Sequence, residues 1–272
     1  MPLRVGLSAL LLLSLGACAP TPTSGVERMS NAVILGEQAI DDGEIVLGIT
    51  GPLDIAIDSF GGNIVLEQDP RLDATIVEPV RRANHGHLRR DHAQSTLESM
   101  DYRVTLERGD LDREVLRIRS WTDHAEKHFQ GIDFRIRTPH LGAVNVRTER
   151  GRVWVRDNRG PVDISTTYGD IRVVTTYPMT GPMTMVTKEF PIDYRAGRGS
   201  TGIFDCVSKG GEVYQRFNLA RVNTTSPLNG PSVFVAEVGG GENPVTLRTT
   251  YADIRVAIVE FPTENGTLIL DP

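Results

Sequence analysis

Glycine recurs at positions 142, 151, 160 and 169, and behind each one stands an apolar pair. The pairs are Val144 and Val146, Val153 and Val155, Val162 and Ile164, and Ile171 and Val173. Successive side chains of an extended strand point to opposite faces, so the two members of each pair share one face. Glycine tolerates the positive φ of a tight corner. A fixed period with corner glycines is what a coiled β-solenoid needs, because each coil covers the apolar face of its neighbour. The match improves in steps of eighteen: Gly142 to Val155 aligns with Gly160 to Val173. Pro244 to Val256 repeats Pro161 to Val173 at nine of thirteen positions, and Gly51-Pro52-Leu53-Asp54-Ile55 is an earlier echo. Gly169 gives way to Ala252 in the late copy, and residues 180–231 keep the rhythm poorly. The competing reading is a β-sandwich of similar hairpins.

Period-two alternation extends the strand reading. Ile45, Leu47 and Ile49 form one set, Leu53, Ile55 and Ile57 the next, then Ile64 and Leu66. It returns in Tyr102, Val104 and Leu106, in Leu116 and Ile118, and in Ile132, Phe134 and Ile136. Short strands bounded by Gly, Pro and Asp favour an all-β chain. Leu88 to Ser99 lacks Gly and Pro and carries few β-branched residues, which predicts one short, charged and mostly solvated helix. The expected fold is an all-β, single-stranded parallel β-helix (β-solenoid) over residues 44–272 with that helix inserted.

At the start of the chain, Arg4 is followed by an apolar run from Val5 to Ala17. A membrane-spanning helix needs about 20 such residues, so this run suits a removable signal segment. Leu15-Gly16-Ala17-Cys18 resembles the bacterial lipobox. The resemblance implies cleavage after residue 17 and lipid on Cys18, hence a membrane partner through acyl chains whose buried methylenes each add about 0.8 kcal/mol. An ordinary secretory signal with a chance cysteine is the plainer reading. Ala19, where Asp would favour inner-membrane retention, points to the outer membrane. Residues 18–43 then form a lipidated start and polar tether.

A net charge of −6 without a basic block excludes a nucleic-acid partner, since neutralising phosphates dominates that affinity. With Cys18 lipidated, Cys206 is the one free thiol, and its apolar setting, Ile203 to Val207, marks it as buried filler. Gly197-Arg198-Gly199-Ser200-Thr201-Gly202 satisfies GxGxxG, but a strand-like run follows it where a dinucleotide site needs a helix. Gly239-Gly240-Gly241 reads as a flexible turn.

His85, His87 and His92, or His124 with His128, have the chemistry of metal ligands. They sit in a polar insertion without a clear third ligand, which favours exposed histidines. Asp163, Asp170 and Asp253, with Arg172 and Arg255, recur with the fold period. That recurrence suits corner-capping aspartates and solvent-facing arginines better than a carboxylate pair cleaving polysaccharide. Trp154, outward between Val153 and Val155, is a candidate for sugar stacking or for shielding under a loop. No catalytic, cofactor or metal residue is assigned.

Three segments resemble the bacterial "putative adhesin" β-helical domains of unknown function: Ile132 to Pro139, Val144 to Gly151, and Val162 to Val173 with its Thr-x-x-Gly-x-Ile unit. The resemblance covers about Glu44 to Val259. It implies a β-helical envelope protein in contact with a surface; together with the lipobox, the leading expectation is a non-enzymatic envelope lipoprotein presenting a solenoid for adhesion, scaffolding or binding of an envelope protein or glycan. A polysaccharide-active enzyme and a membrane-tethered sensor are the alternatives.

Overall fold

A computed structural model describes residues 37–85, 89–109, 113–224 and 226–264. The signal segment, Cys18, the tether up to residue 36 and His87 lie outside the described residues. Strands β1 (Glu37–Asp41), β2 (Ile45–Leu47), β3 (Leu53–Ser59), β4 (Ile64–Gln68) and β5 (Thr75–Asn84) precede helix α1 (Arg90–Glu98). Then come β6 (Met100–Arg108), β7 (Glu114–Thr122), β8 (Gln130–Thr138), β9 (Leu141–Arg150) and β10 (Val153–Arg156). They are followed by β11 (Val162–Tyr168), β12 (Ile171–Thr175), β13 (Met183–Val186), β14 (Ile192–Ala196) and β15 (Gly202–Ser208). The last are β16 (Val213–Phe217), β17 (Val222–Thr224), β18 (Val233–Val238), β19 (Pro244–Thr249) and β20 (Ile254–Ile258).

Among the described residues the chain is all-β apart from helix α1 and a 3-10 turn at Lys127–Phe129, and its strands make two ten-stranded sheets. One runs β1-β5-β8-β4-β10-β12-β14-β20-β16, with β2 also on β5; the other runs β17-β18-β15-β19-β13-β11-β9-β3-β7-β6. Consecutive strands such as β9 and β10 go to different sheets, so each such pair forms one tier. This explains why a step of eighteen matches better than a step of nine: eighteen residues return to the same sheet. Val144 lies beside Val162, and Val153 beside Ile171, in parallel register.

The inward columns share one apolar core. Val144, Val162, Met183, Val245 and Phe204 neighbour one another across one sheet. Ile64, Val153, Ile171, Ile192 and Ile254 do so across the other. All ten are buried. A third inward position is a hydroxyl: Ser59 aligns with Thr148 and Thr166, and Thr249 with Ser208, all buried.

Tier order does not follow chain order. The β3/β4 tier lies between β7/β8 and β9/β10, and the β19/β20 tier lies between β13/β14 and β15/β16. Both echoes of the repeat, at Leu53 and at Pro244, are these intercalated tiers. The strands are also not all parallel. Strand β5 is antiparallel to β8, β6 to β7, β18 to β15 and β17 to β18. These added strands cover sheet ends that would otherwise offer unpaired backbone groups. Strand β1 falls inside the stretch read as tether and pairs with β5. Helix α1 is shorter than the predicted Leu88–Ser99 and less solvated, because Ala93, Thr96 and Leu97 are buried against β1, β5 and β6.

The corners explain the glycines. Gly151 has φ 106°, and a Cβ there would overlap the carbonyl of Gly62 in the next tier; one on Gly169 would overlap the carbonyl of Gly151. We expect Gly151→Ala to destabilise the fold by about 2–3 kcal/mol, from backbone strain plus the forced separation of two tiers. Gly48→Ala, with nothing near its Cβ, should stay within about 0.5 kcal/mol. Urea unfolding midpoints of the two variants check this.

Candidate functional site

In the tiers a buried hydroxyl stands at or near the end of β3, β9, β11, β13, β15 and β19, where the chain turns into the first sheet. Several of these hydroxyls hold a turn of their own or of a neighbouring tier. Thr148 donates to the Arg150 carbonyl at 2.9 Å, Thr187 to Gly169 at 2.9 Å, Thr249 to Phe190 at 3.1 Å and Ser208 to Ala252 at 2.7 Å. Turns pinned by a neighbouring tier's hydroxyl, at Gly169, Phe190 and Ala252, carry the residues around them outward.

On three adjacent tiers these outward residues are aromatic. Tyr168, Phe190 and Tyr251 are 38%, 42% and 64% exposed, enough for a partner to reach their rings. Tyr168 ends β11, while Phe190 and Tyr251 follow β13 and β19; these strands pair in that order, so the three aromatics form a ridge along one corner. Cations flank it. The Arg150 guanidinium lies 5.6 Å and the Lys188 ammonium 6.0 Å from the Tyr168 ring centre. Beside the ridge is a shallow cavity of about 580 Å³ whose lining includes Arg82, Phe129, Asp133 and Arg150. Arg82 and Asp133 pair across it at 2.5 Å.

The aspartates read as corner caps are engaged in the corners. Asp253 accepts the Glu212 N–H at 3.0 Å, and Asp170 binds the Arg152 guanidinium at 2.9 Å. The same position in other tiers works alike, since Asp133 accepts the Asn63 N–H at 2.7 Å and Asn63 accepts the Arg152 N–H at 3.1 Å. Asp163 meets the Asn145 amide at 3.5 Å, on the other side of the tier. Arg255 is exposed beside Asp193. Trp154 is shielded by Arg172, whose guanidinium sits 5.4 Å from the ring and 3.6 Å from Asp193, rather than by a loop.

The histidine expectation needs correcting. His85 is buried, not exposed, and its Nε2 lies 2.8 Å from Thr96 Oγ1 on α1. Its ring packs 5.8 Å from His124 and 6.5 Å from His92. His128 belongs to the 3-10 turn and stacks on Phe129, while His124 precedes that turn and accepts the Glu126 N–H. His140 is exposed. Arg89 sits centrally, 2.9 Å from Glu126 and 3.2 Å from His92. Among the described residues no group of three His, Cys, Asp or Glu is placed to hold a metal. Cys206 is fully buried, and burial pushes its thiol well above the ordinary range, which suppresses the thiolate. The GxGxxG motif runs into strand β15, so no helix N-terminus faces it.

No family model matches the sequence, and no curated protein matches it. Solved structures do match. A putative cell adhesion protein from Clostridium sporogenes shares 7% identity at a TM-score of 0.50, over 80% of this chain and 99% of that one. The likeness is one of fold. A putative adhesin from Bacteroides fragilis aligns at 11% identity and a TM-score of 0.28, over 82% of this chain and 97% of that one. The described residues contain no helix long and apolar enough to cross a membrane.

Sequence reasoning missed the ridge. The signal was present, because Thr-Thr-Tyr recurs at 166–168 and 249–251. Strict alternation would turn a tyrosine two residues beyond a buried threonine inward, so the exposure of Tyr168 and Tyr251 follows from the turn that begins there.

Burial, with the Arg89 charge beside it, holds His85 below its ordinary value of 6.5. Glu126, 3.7 Å away, opposes this shift, while His124 and His92 reinforce it. The folded state therefore binds this proton less readily than the unfolded state. Stability should fall as pH drops below 6.5, and His85→Asn should flatten that slope. Arg89 holds Glu126 below its ordinary 4.5, so the loss from Glu126 comes at lower pH and is separable. Urea unfolding from pH 7.5 to pH 5 reads the difference.

Proposed function

We propose that this chain is a bacterial cell-envelope lipoprotein whose two sheets form the walls of a β-solenoid, and that the solenoid presents its aromatic corner to a partner without catalysing a reaction. Parallel in-register tiers, an eighteen-residue period and a chain alternating between sheets support the solenoid reading. The observation that carries the function is the ridge of Tyr168, Phe190 and Tyr251. The three rings stand on successive tiers, so they offer a row of aromatic faces to an extended ligand. Ring faces stack on the apolar faces of sugars, and Tyr hydroxyls and flanking cations meet hydroxyl and acidic groups. An extended glycan of the cell surface fits this better than a small molecule, which calls for a deeper enclosure. Asp253 is engaged by the Glu212 N–H and Asp170 by the Arg152 guanidinium, which leaves neither carboxylate well placed for hydrolysis. A shared fold with a protein described as a cell adhesion protein agrees with this reading.

Two measurements test it. Tyr168→Ala combined with Tyr251→Ala should weaken binding on a glycan and cell-wall-fragment array by about tenfold or more, with the melting temperature unchanged. Undiminished binding would move the partner site elsewhere. Separately, Cys18→Ser should shift the protein from the membrane to the soluble fraction, and unchanged membrane association would remove the lipid anchor from the proposal.

A further inference from the structure

Two glycine-rich motifs without a ligand role lie at one place in the fold. Gly197 to Gly202 contains the link from β14 to β15, and Gly239-Gly240-Gly241 opens the link from β18 to β19. The first link steps over a tier. Strands β13/β14 and β15/β16 are successive in the chain, yet β19/β20 sits between them in both sheets. The inserted segment, Pro244–Ile258, is paired on both sides: β19 with β13 and β15, and β20 with β14 and β16.

Close contacts mark both links. A Cβ at Gly197 would overlap the Thr176 carbonyl, and one at Gly202 would crowd Asn243. Gly239 and Gly240 both take left-handed φ, 67° and 73°. Between the links sits a latch. Asn243 Nδ2 donates to the Gly181 carbonyl at 3.0 Å and to the Thr201 carbonyl at 2.9 Å. One amide thus ties the turn before β13 to the turn before β15, across the mouth of the slot. On either side of the slot the columns match: Met183 and Phe204 flank Val245, and Met185 and Cys206 flank Leu247. With the segment withdrawn, β13 and β15 would face each other with apolar residues against apolar residues, in chain order.

We propose that residues 244–258 are an exchangeable tier, and that a second copy of this chain can fill the slot with its own 244–258 segment. The glycine run 239–241 is the hinge and Asn243 the latch. The incoming segment is identical to the one it replaces, so the exchanged dimer keeps the strand contacts of the monomer. The two forms differ in the path of the hinge and in their dependence on concentration.

The test uses the full-length chain carrying Cys18→Ser, Thr184→Cys and Thr246→Cys. Thr184 and Thr246 are aligned neighbours on β13 and β19, away from the core. Cys206 is buried, and single-cysteine chains control for it. The protein is refolded from urea at rising concentration, sized by light scattering, and treated with a short bismaleimide. Exchange predicts a dimer that grows with concentration and a covalent dimer on denaturing gels. Asn243→Ala should speed the approach to that dimer, because the latch must open before the segment can leave. A monomer at every concentration, or a dimer whose cross-links stay within one chain, overturns the proposal. The Asn243→Ala arm is read only if that variant folds; the parent chain alone decides the outcome.

Discussion

Backbone hydrogen bonding between parallel strands fixes the spacing of neighbouring tiers at roughly 4.7–4.9 Å, and the rest of the molecule answers to that distance. At such a spacing a given position in one tier touches the same position in the next. The apolar pairs must therefore recur, as Val144, Val162 and Met183 do. Corners leave no room for side chains between carbonyls, so Gly62, Gly151 and Gly169 stack there. The polar groups of the turns are met by side chains of the same or adjacent tier, as Thr187 meets Gly169 and Asp253 meets Glu212. Nothing in this arrangement depends on a disulfide, and Cys206 packs as a small apolar residue.

The same constraint separates the two sides of each corner. What points inward is decided by its neighbours above and below and is nearly uniform along the stack. What points outward is free to vary, and there the chain places Tyr168, Phe190 and Tyr251 with Arg150 and Lys188. A rigid interior period thereby fixes the order of tiers beneath a surface whose chemistry the interior does not dictate.

Legibility in the sequence follows from this division. The inward residues Val153, Val155, Ile171 and Val173 were readable because a core position admits few residue types. Tier order was not readable, because any eighteen-residue unit offers the same apolar pairs to any other. Nothing in Leu53–Ser59 names β7 and β9 as its neighbours. Residues 180–231 lose the rhythm because longer turns place Met183 beside Val162 and Ile192 beside Ile171, a step longer than eighteen, and because β17 is an antiparallel covering strand. His85 was misjudged because its polar surroundings in sequence concealed a buried face formed with Thr96 on α1. At the site, the aspartates were legible through their periodicity, whereas the ridge required knowing which residues the hydroxyls turn outward.

The β3/β4 tier has a consequence for how the protein is made. A ribosome delivers the chain from its N-terminus, and residues 53–68 emerge well before residues 114–138 and 141–156, which flank them on either side. The step from β8 to β9 across that tier is only Pro139 and His140 long, which leaves little slack for late rearrangement. This stack cannot zip outward from its first strand during synthesis as a sequential repeat can. Its early strands must wait with sticky edges uncovered, and loop closure over long separations makes that wait slow. For such a chain, burial of the earliest tier is delayed by topology until the strands on both of its sides have arrived.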